Sequence, residues 1–315
     1  MYQSKIEDFG PYQRYTLYNT AKGHAMAIVP AYGANLLSTH LHGYSLLDGY
    51  TTPEELTANS WSKNVVLFPF PNRLKDGRYQ FNGQEYHFPI NNASTANAIH
   101  GFGRTLPMEV DTIATGEKEA AISCSYRDKG ERANYPFAHT FRIVFRLSDA
   151  EGLRVTMSFE NNGTVDLPVG LGWHPYFKFD RPVEELTLQL PPCRMVEIDD
   201  RMIPTGERST YDAFASPRKI EEVNLDNCFA LEAAEGSVAE AIVSLPEGRL
   251  RYWQEAGPGR FDYLQVFTPP ARHAIALEPM TCNVDAFNNS EGLYTLAPGE
   301  RLSGDFGFNF QPANP

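Results

Sequence analysis

Helical periodicity is what this sequence has least of. Segments such as PEEL (53–56) and PRKIEEV (217–223) could supply a turn or two, but none reaches ordinary helix length. No 18-residue apolar run occurs, and MYQSKIEDFG at the start has no basic region leading into an apolar one. Both a membrane-crossing helix and a secretory leader are therefore unexpected. Positive charge is also short: Lys and Arg total 27 against 39 Asp and Glu, a net charge of -12. That balance argues against nucleic acid or an anionic membrane as a partner, since both demand a basic face. The four cysteines (Cys124, Cys193, Cys228, Cys282) lie far apart with no C-x-x-C pair. They read as reduced, mostly buried thiols, and suggest neither a disulfide framework nor a zinc site. G-x-S-x-G, P-loop and H-E-x-x-H motifs are missing, so serine hydrolase, nucleotide hydrolase and zincin readings have no support. The expectation is a soluble, cytoplasmic protein, monomer or homodimer.

What is present is period-2 alternation. In FRIVFRLS (141–148), Phe141, Ile143, Phe145 and Leu147 share one face. LRVTMSFE repeats the pattern with Leu153, Val155, Met157 and Phe159, and the short polar DAEG between the two predicts a β-hairpin. RYQF-NG-QEYHF predicts a second hairpin, with Asn82-Gly83 supplying the positive φ angles of a two-residue turn. AMAIVP, ELTLQL, YLQVFT and DFGFNF add strands, while GEKE (116–119) and residues 206–222 read as loops. Many short strands over 315 residues predict an all-β fold, a large antiparallel β-sandwich forming a single domain over 1–315 with few short helices.

Context separates the eight histidines. His24, His40, His42, His87 and His139 have no unusual neighbours, and His273 reads as a turn residue before a strand. His100 ends NNASTANAIHGFGR, where glycines would let backbone approach a ligand closely. Leu106 stands where G-x-G-x-x-G needs its third glycine, so a dinucleotide site is discarded. His174 lies in GLGWHPYFKF among Trp173, Tyr176 and Phe177. Glu278, in IALEPMT, puts a carboxylate at the end of an apolar strand, which costs free energy unless it is paired or solvated in a cleft. Arg73 follows Asn72 in FPFPNRLKDGRY, and Asp226 opens an apolar segment in NLDNCF. Taken singly, each of these has a structural reading as good as a functional one.

Together they resemble the aldose 1-epimerase (galactose mutarotase) family: NRLKDGRYQFNGQEY, NAIHGF, WHPYF and LEPMTCNVDAFN occur in that order and spacing. The resemblance runs from GHAMAIVPAYGANLLSTHLHG to LAPGERL. Phe102 departs from it by replacing the second glycine of His-Gly-Gly, and Pro-Met-Thr follows Glu278 where Pro-Gln-Thr or Pro-Glu-Thr is usual. The resemblance implies a β-sandwich with an open sugar cleft, and needs neither metal nor organic cofactor. It implies Glu278 as base at the C1 hydroxyl, His174 as acid at the ring oxygen, and His100 stabilising the charge that develops there. Arg73 and Asp226, with Asn72, would fix other hydroxyls of a small-molecule sugar, and Trp173 and Tyr176 would offer ring faces to it. Three alternatives stay open: a hexose-6-phosphate epimerase using Arg104 and Lys75, a non-catalytic sugar-binding protein, and a lyase or glycosidase built on Glu278 and Asp226.

Overall fold

The computed structural model describes residues 1–234 and 236–313. Both predicted hairpins form. Strand Ala138–Ser148 pairs with Gly152–Asn161 through Ser148 and Gly152, and Arg78–Phe81 pairs with Gln84–His87. The second hairpin turns through Asn82 (φ 49°) and Gly83 (φ 75°), the left-handed pair that a tight hairpin turn requires.

Two large antiparallel sheets carry the architecture. One has nine strands, in the order Glu109–Thr115, Glu119–Lys129, Ala138–Ser148, Gly152–Asn161, Arg301–Pro312, Gly248–Ala256, Ser237–Leu245, Thr187–Gln189 and Arg218–Lys219. The other has eight: Pro204–Thr210, Cys193–Ile198, Asp226–Leu231, Tyr263–Phe267, Ile275–Met280, Gly172–Trp173 and Val66–Leu67 in order, with Tyr176–Phe177 also paired to Ile275–Met280. Their facing sides share one apolar core. Phe141, Phe145, Phe159, Phe306 and Phe308 come from the first sheet, and Leu264, Val266, Ile275 and Leu277 from the second. A five-stranded meander over residues 3–45 adds a further layer.

Two expectations need correcting. Arg218–Lys219, inside PRKIEEV, is a short strand and not helical, and residues 206–210 belong to strand Pro204–Thr210 and not to a loop. Pro204–Thr210 is an edge strand of the eight-stranded sheet, exposed along most of its length. With neither face buried, no alternation is imposed on its sequence. PEEL does sit in a helix, Pro53–Ala58, started by Pro53 and capped by the Thr52 hydroxyl accepting from the Glu55 amide. No helix among the described residues is long and apolar enough to cross a membrane.

Candidate active site

Strand alternation decides which side chains leave the core. In Tyr263–Phe267, Leu264 and Val266 face the core, so Gln265 and Phe267 face the other way; in Ile275–Met280, Ile275 and Leu277 point inward and Glu278 outward. Gln265 is paired directly with Glu278, and Asp226 with Phe267. The register that pairs Gly172 with Met280 and Tyr176 with Ala276 sets His174 opposite Glu278. One row across the outer face of this sheet therefore reads Gln265, Glu278, His174.

Pro175 has no amide hydrogen and breaks the ladder beside His174. The chain is held by Val65 and Asn64 instead: the His174 amide donates to the Val65 carbonyl (3.0 Å), and the Asn64 amide donates to the His174 carbonyl (2.8 Å). The fully buried Asn64 side chain also accepts from the Tyr176 amide at 3.1 Å. His100 arrives from another direction. Strand Asn97–Ile99 pairs with Arg73–Lys75, and the His100 amide donates to the Asn72 carbonyl at 3.0 Å. The Asn-Arg and His-Gly-Phe motifs are thus joined by one short ladder.

These elements line an open cleft of about 850 Å³. Around it stand Asn72, Arg73, His100, His174, Tyr176, Asp226, Gln265 and Glu278, with Trp61, Arg104 and Phe267 also lining it. His174 Nε2 lies 3.5 Å from Glu278 Oε1. The His174 ring stacks on Tyr176 (4.8 Å, 10°) and meets the His100 ring edge-on at 5.3 Å. Asn72 accepts from Arg73 Nη1 (3.2 Å) and donates to Gln265 (3.3 Å), and Gln265 donates to Asp226 (2.8 Å). Glu278 Oε2 and Arg73 Nε are buried without a hydrogen-bond partner among the described residues. Buried polar atoms are nearly always paired, so these two mark where the cleft has bonding capacity to offer.

Burial governs the electrostatics. It pushes the Glu278 carboxyl well above its ordinary range, Asp226 adds to that rise, and Arg73 opposes it. Asp226 is also raised by burial, against the pull of Arg73 and the Gln265 hydrogen bond. Burial pushes His174 down to about 3 and holds His100 far below the usual imidazole value, the second further disfavoured by the first. His100 Nδ1 lies 2.8 Å from the Pro71 carbonyl, which can only accept, so Nδ1 carries the proton and Nε2 is a bare acceptor.

Not every expected residue is in the cleft. Trp173 is fully buried, packs on Phe306 and donates its indole N–H to the Asn64 carbonyl at 3.0 Å; it is a core residue and not a ring for a ligand. Phe177 is likewise buried, against Phe308. Both lie on the core side because they alternate with His174 and Tyr176. Gly101 and Gly103 serve Phe68 rather than a ligand: a Cβ at Gly101 would stand 2.1 Å from the Phe68 carbonyl oxygen, and one at Gly103 2.4 Å from its ring. Lys75 is exposed and does not line the cleft. His24 and His42 do have a noteworthy neighbour, since their ligating atoms and those of Asp149 lie within 4.8 Å of one another, away from the cleft. Asp149 there is already ion-paired with Lys22 at 2.6 Å. Sequence reasoning missed Gln265 and Asn64. Gln265 had a signal, as the one polar side chain within YLQVF; Asn64 had none.

The aldose 1-epimerase family model matches residues 13–309. The chain is 29% identical to the uncharacterized protein YihR of Escherichia coli K12 over 293 residues, covering 89% of this chain and 88% of that one. A galactose mutarotase-like protein from Clostridium acetobutylicum superposes with a TM-score of 0.86 at 20% identity, over 99% of both chains. Galactose 1-epimerase from Lactobacillus acidophilus gives 0.83 at 16% identity, over 100% of this chain and 99% of that one. At such identities the structural likeness establishes the fold, a galactose mutarotase-like β-sandwich.

Proposed function

The chain belongs to the aldose 1-epimerase family, and on that premise we propose that it interconverts the α and β anomers of an aldohexose such as galactose or glucose. The observation that carries this reading is the buried Glu278 carboxyl 3.5 Å from the His174 imidazole, both in a cleft of sugar size. Mutarotation opens a hemiacetal, rotates about C1–C2 and recloses the ring on the other face. Opening needs a proton removed from the C1 hydroxyl and one delivered to the ring oxygen; closing reverses both transfers. Glu278 takes the first role and His174 the second. Burial favours the uncharged pair, carboxylic acid beside imidazole, and the working base-and-acid form differs from it by one proton across a single short gap. Arg73 favours the carboxylate and so helps reach that form.

His100 has a narrower role than the resemblance alone implies. Neutral and with Nδ1–H committed to Pro71, it accepts a hydrogen bond from a sugar hydroxyl through Nε2, and cannot stabilise negative charge there. Arg73 and Asp226, joined through Asn72 and Gln265, hold further hydroxyls in a fixed pattern. Tyr176, unlike Trp173, lines the cleft, where its ring backs the His174 imidazole. The reading is tested by following anomeric exchange of galactose and glucose by polarimetry or exchange NMR. Acceleration above the buffer rate supports it. Sugar binding without acceleration would favour a non-catalytic binding protein instead.

A further inference from the structure

One half-buried charge in the cleft has no part in this chemistry. Arg73 and Arg104 are the two arginines among the described residues that escape full exposure and yet have no carboxylate within ion-pairing distance. Arg73 faces the charges of Asp226 and Glu278. Arg104 faces phenols, Tyr32 and Tyr50, and among the described residues its side chain makes one hydrogen bond, from Nη1 to the Ser62 hydroxyl at 3.2 Å. The nearest lysine in sequence to that hydroxyl, Lys63, is itself paired with Asp48 at 2.7 Å. A half-buried guanidinium without a counter-ion carries a desolvation cost that an incoming anion would offset.

Its place in the cleft says which part of a sugar it would meet. Ser62, bonded to Arg104, follows Trp61, whose carbonyl accepts from the Tyr176 hydroxyl at 3.1 Å; Tyr176 in turn stacks on His174. Arg104, whose charge also acts on His100, therefore belongs to the side of the cleft where the His100 and His174 rings meet, while Arg73 is tied through Asn72 and Gln265 to Asp226. On a pyranose the ring oxygen is bonded to C5, and C5 carries the exocyclic C6. We propose that the cleft takes an aldohexose bearing a singly charged oxyanion at C6, held by Arg104 and the Ser62 hydroxyl. The assignment rests on the placement of His174 at the ring oxygen. One uncompensated arginine matches a carboxylate or a sulfate ester, whereas a phosphate monoester brings about 1.5 to 2 negative charges at neutral pH.

The test compares glucose, glucuronate, glucose 6-sulfate and glucose 6-phosphate as substrates by exchange NMR, and as ligands by calorimetry. Glucuronate separates a carboxylate from a sulfate; the two esters share a shape and differ in charge. The expected result is kcat/KM for at least one monoanionic sugar roughly tenfold or more above that for glucose, as one charge-assisted hydrogen bond provides, with the phosphate below the sulfate. Arg104→Gln should collapse that ratio to within about threefold, mainly through KM, and Arg104→Lys should restore part of it; thermal melting confirms that both variants fold. Equal handling of glucose and both monoanions, an unchanged ratio in Arg104→Gln, or a preference for the phosphate each overturn the proposal. Neutral sugars turned over without any anionic preference would leave the mutarotase reading standing while this one fails. If no sugar is turned over, that reading fails, and binding of glucuronate or the sulfate lost in Arg104→Gln still decides for or against the anion site.

Discussion

Glu278→Gln should make the protein more stable and nearly inactive, and the gain in stability should depend on pH in a definite way. In the folded chain the carboxyl is buried and its pKa raised well above the ordinary glutamate value of 4.5. Below 4.5 the group is protonated in both folded and unfolded chains, so glutamate and glutamine behave alike. Above it the unfolded chain releases a proton that the folded chain keeps. The wild type then loses about 1.4 kcal/mol of stability per pH unit, until the pH passes the raised folded value. Glutamine has no such loss. For 315 residues this corresponds to a lead in melting temperature of roughly 2 °C per pH unit for the variant. Turnover should fall about a hundredfold or more with the proton-transfer group gone. The assay is thermal or urea unfolding of both proteins in a buffer series from about pH 4 upward, with exchange NMR for activity. A stability difference that stays constant with pH, or a wild type more stable than the variant at neutral pH, would refute this reasoning. Glu278 would then be ionised and well paired in the folded chain, and burial would not govern its charge.

Three further outcomes follow from the same geometry. His174 should remain a neutral imidazole at neutral pH and well into the acid range, since burial holds its pKa at about 3; ¹⁵N chemical shifts of the ring read this directly, and titration near 6.5 would contradict it. In consequence kcat/KM should be level on the acid side of neutrality and decline as pH rises and the His174–Glu278 pair loses its shared proton, with the apparent value belonging to the pair. Gln265→Leu should raise KM roughly tenfold or more by unhooking Asp226 and Asn72, with a smaller effect on kcat, whereas equal losses in both would place Gln265 in the chemical step. Trp173→Phe should cost about 2 to 4 kcal/mol of stability, for the Asn64 carbonyl left unpaired and the space left by the smaller ring, and leave KM within about twofold; a large rise in KM would return Trp173 to the cleft.

The sandwich was legible wherever one strand face is buried and the other is not, because alternation then has to appear in the sequence. Residues 141–159 are the clearest case. It was illegible at the exposed edge, in Pro204–Thr210, where burial writes no pattern. The same rule, applied inside GLGWHPYFKF, separates His174 and Tyr176 from Trp173 and Phe177, and the parity of that run was the overlooked signal for which aromatics face the cleft. His100, Glu278, Arg73 and Asp226 could be singled out by motif and by the cost of their surroundings. What could not be read were the supports that depend on contacts across the chain. The side chain of Asn64 holds the backbone at Tyr176, Asn72 reaches Gln265, and Arg104 is set apart only by what fails to surround it.

The proposed anomerisation depends on Glu278 and His174 together moving a proton around the anomeric centre of a sugar. Two-dimensional exchange NMR on galactose, glucose and glucuronate probes that step itself, comparing wild type, Glu278→Gln and His174→Asn at matched concentration. With the wild-type protein, α–β cross-peaks for at least one sugar should build up far faster than in buffer. Both variants should give buffer-like rates while they still bind that sugar. Wild-type rates no faster than buffer for every sugar, or full activity retained in either variant, would contradict the paired roles of Glu278 and His174.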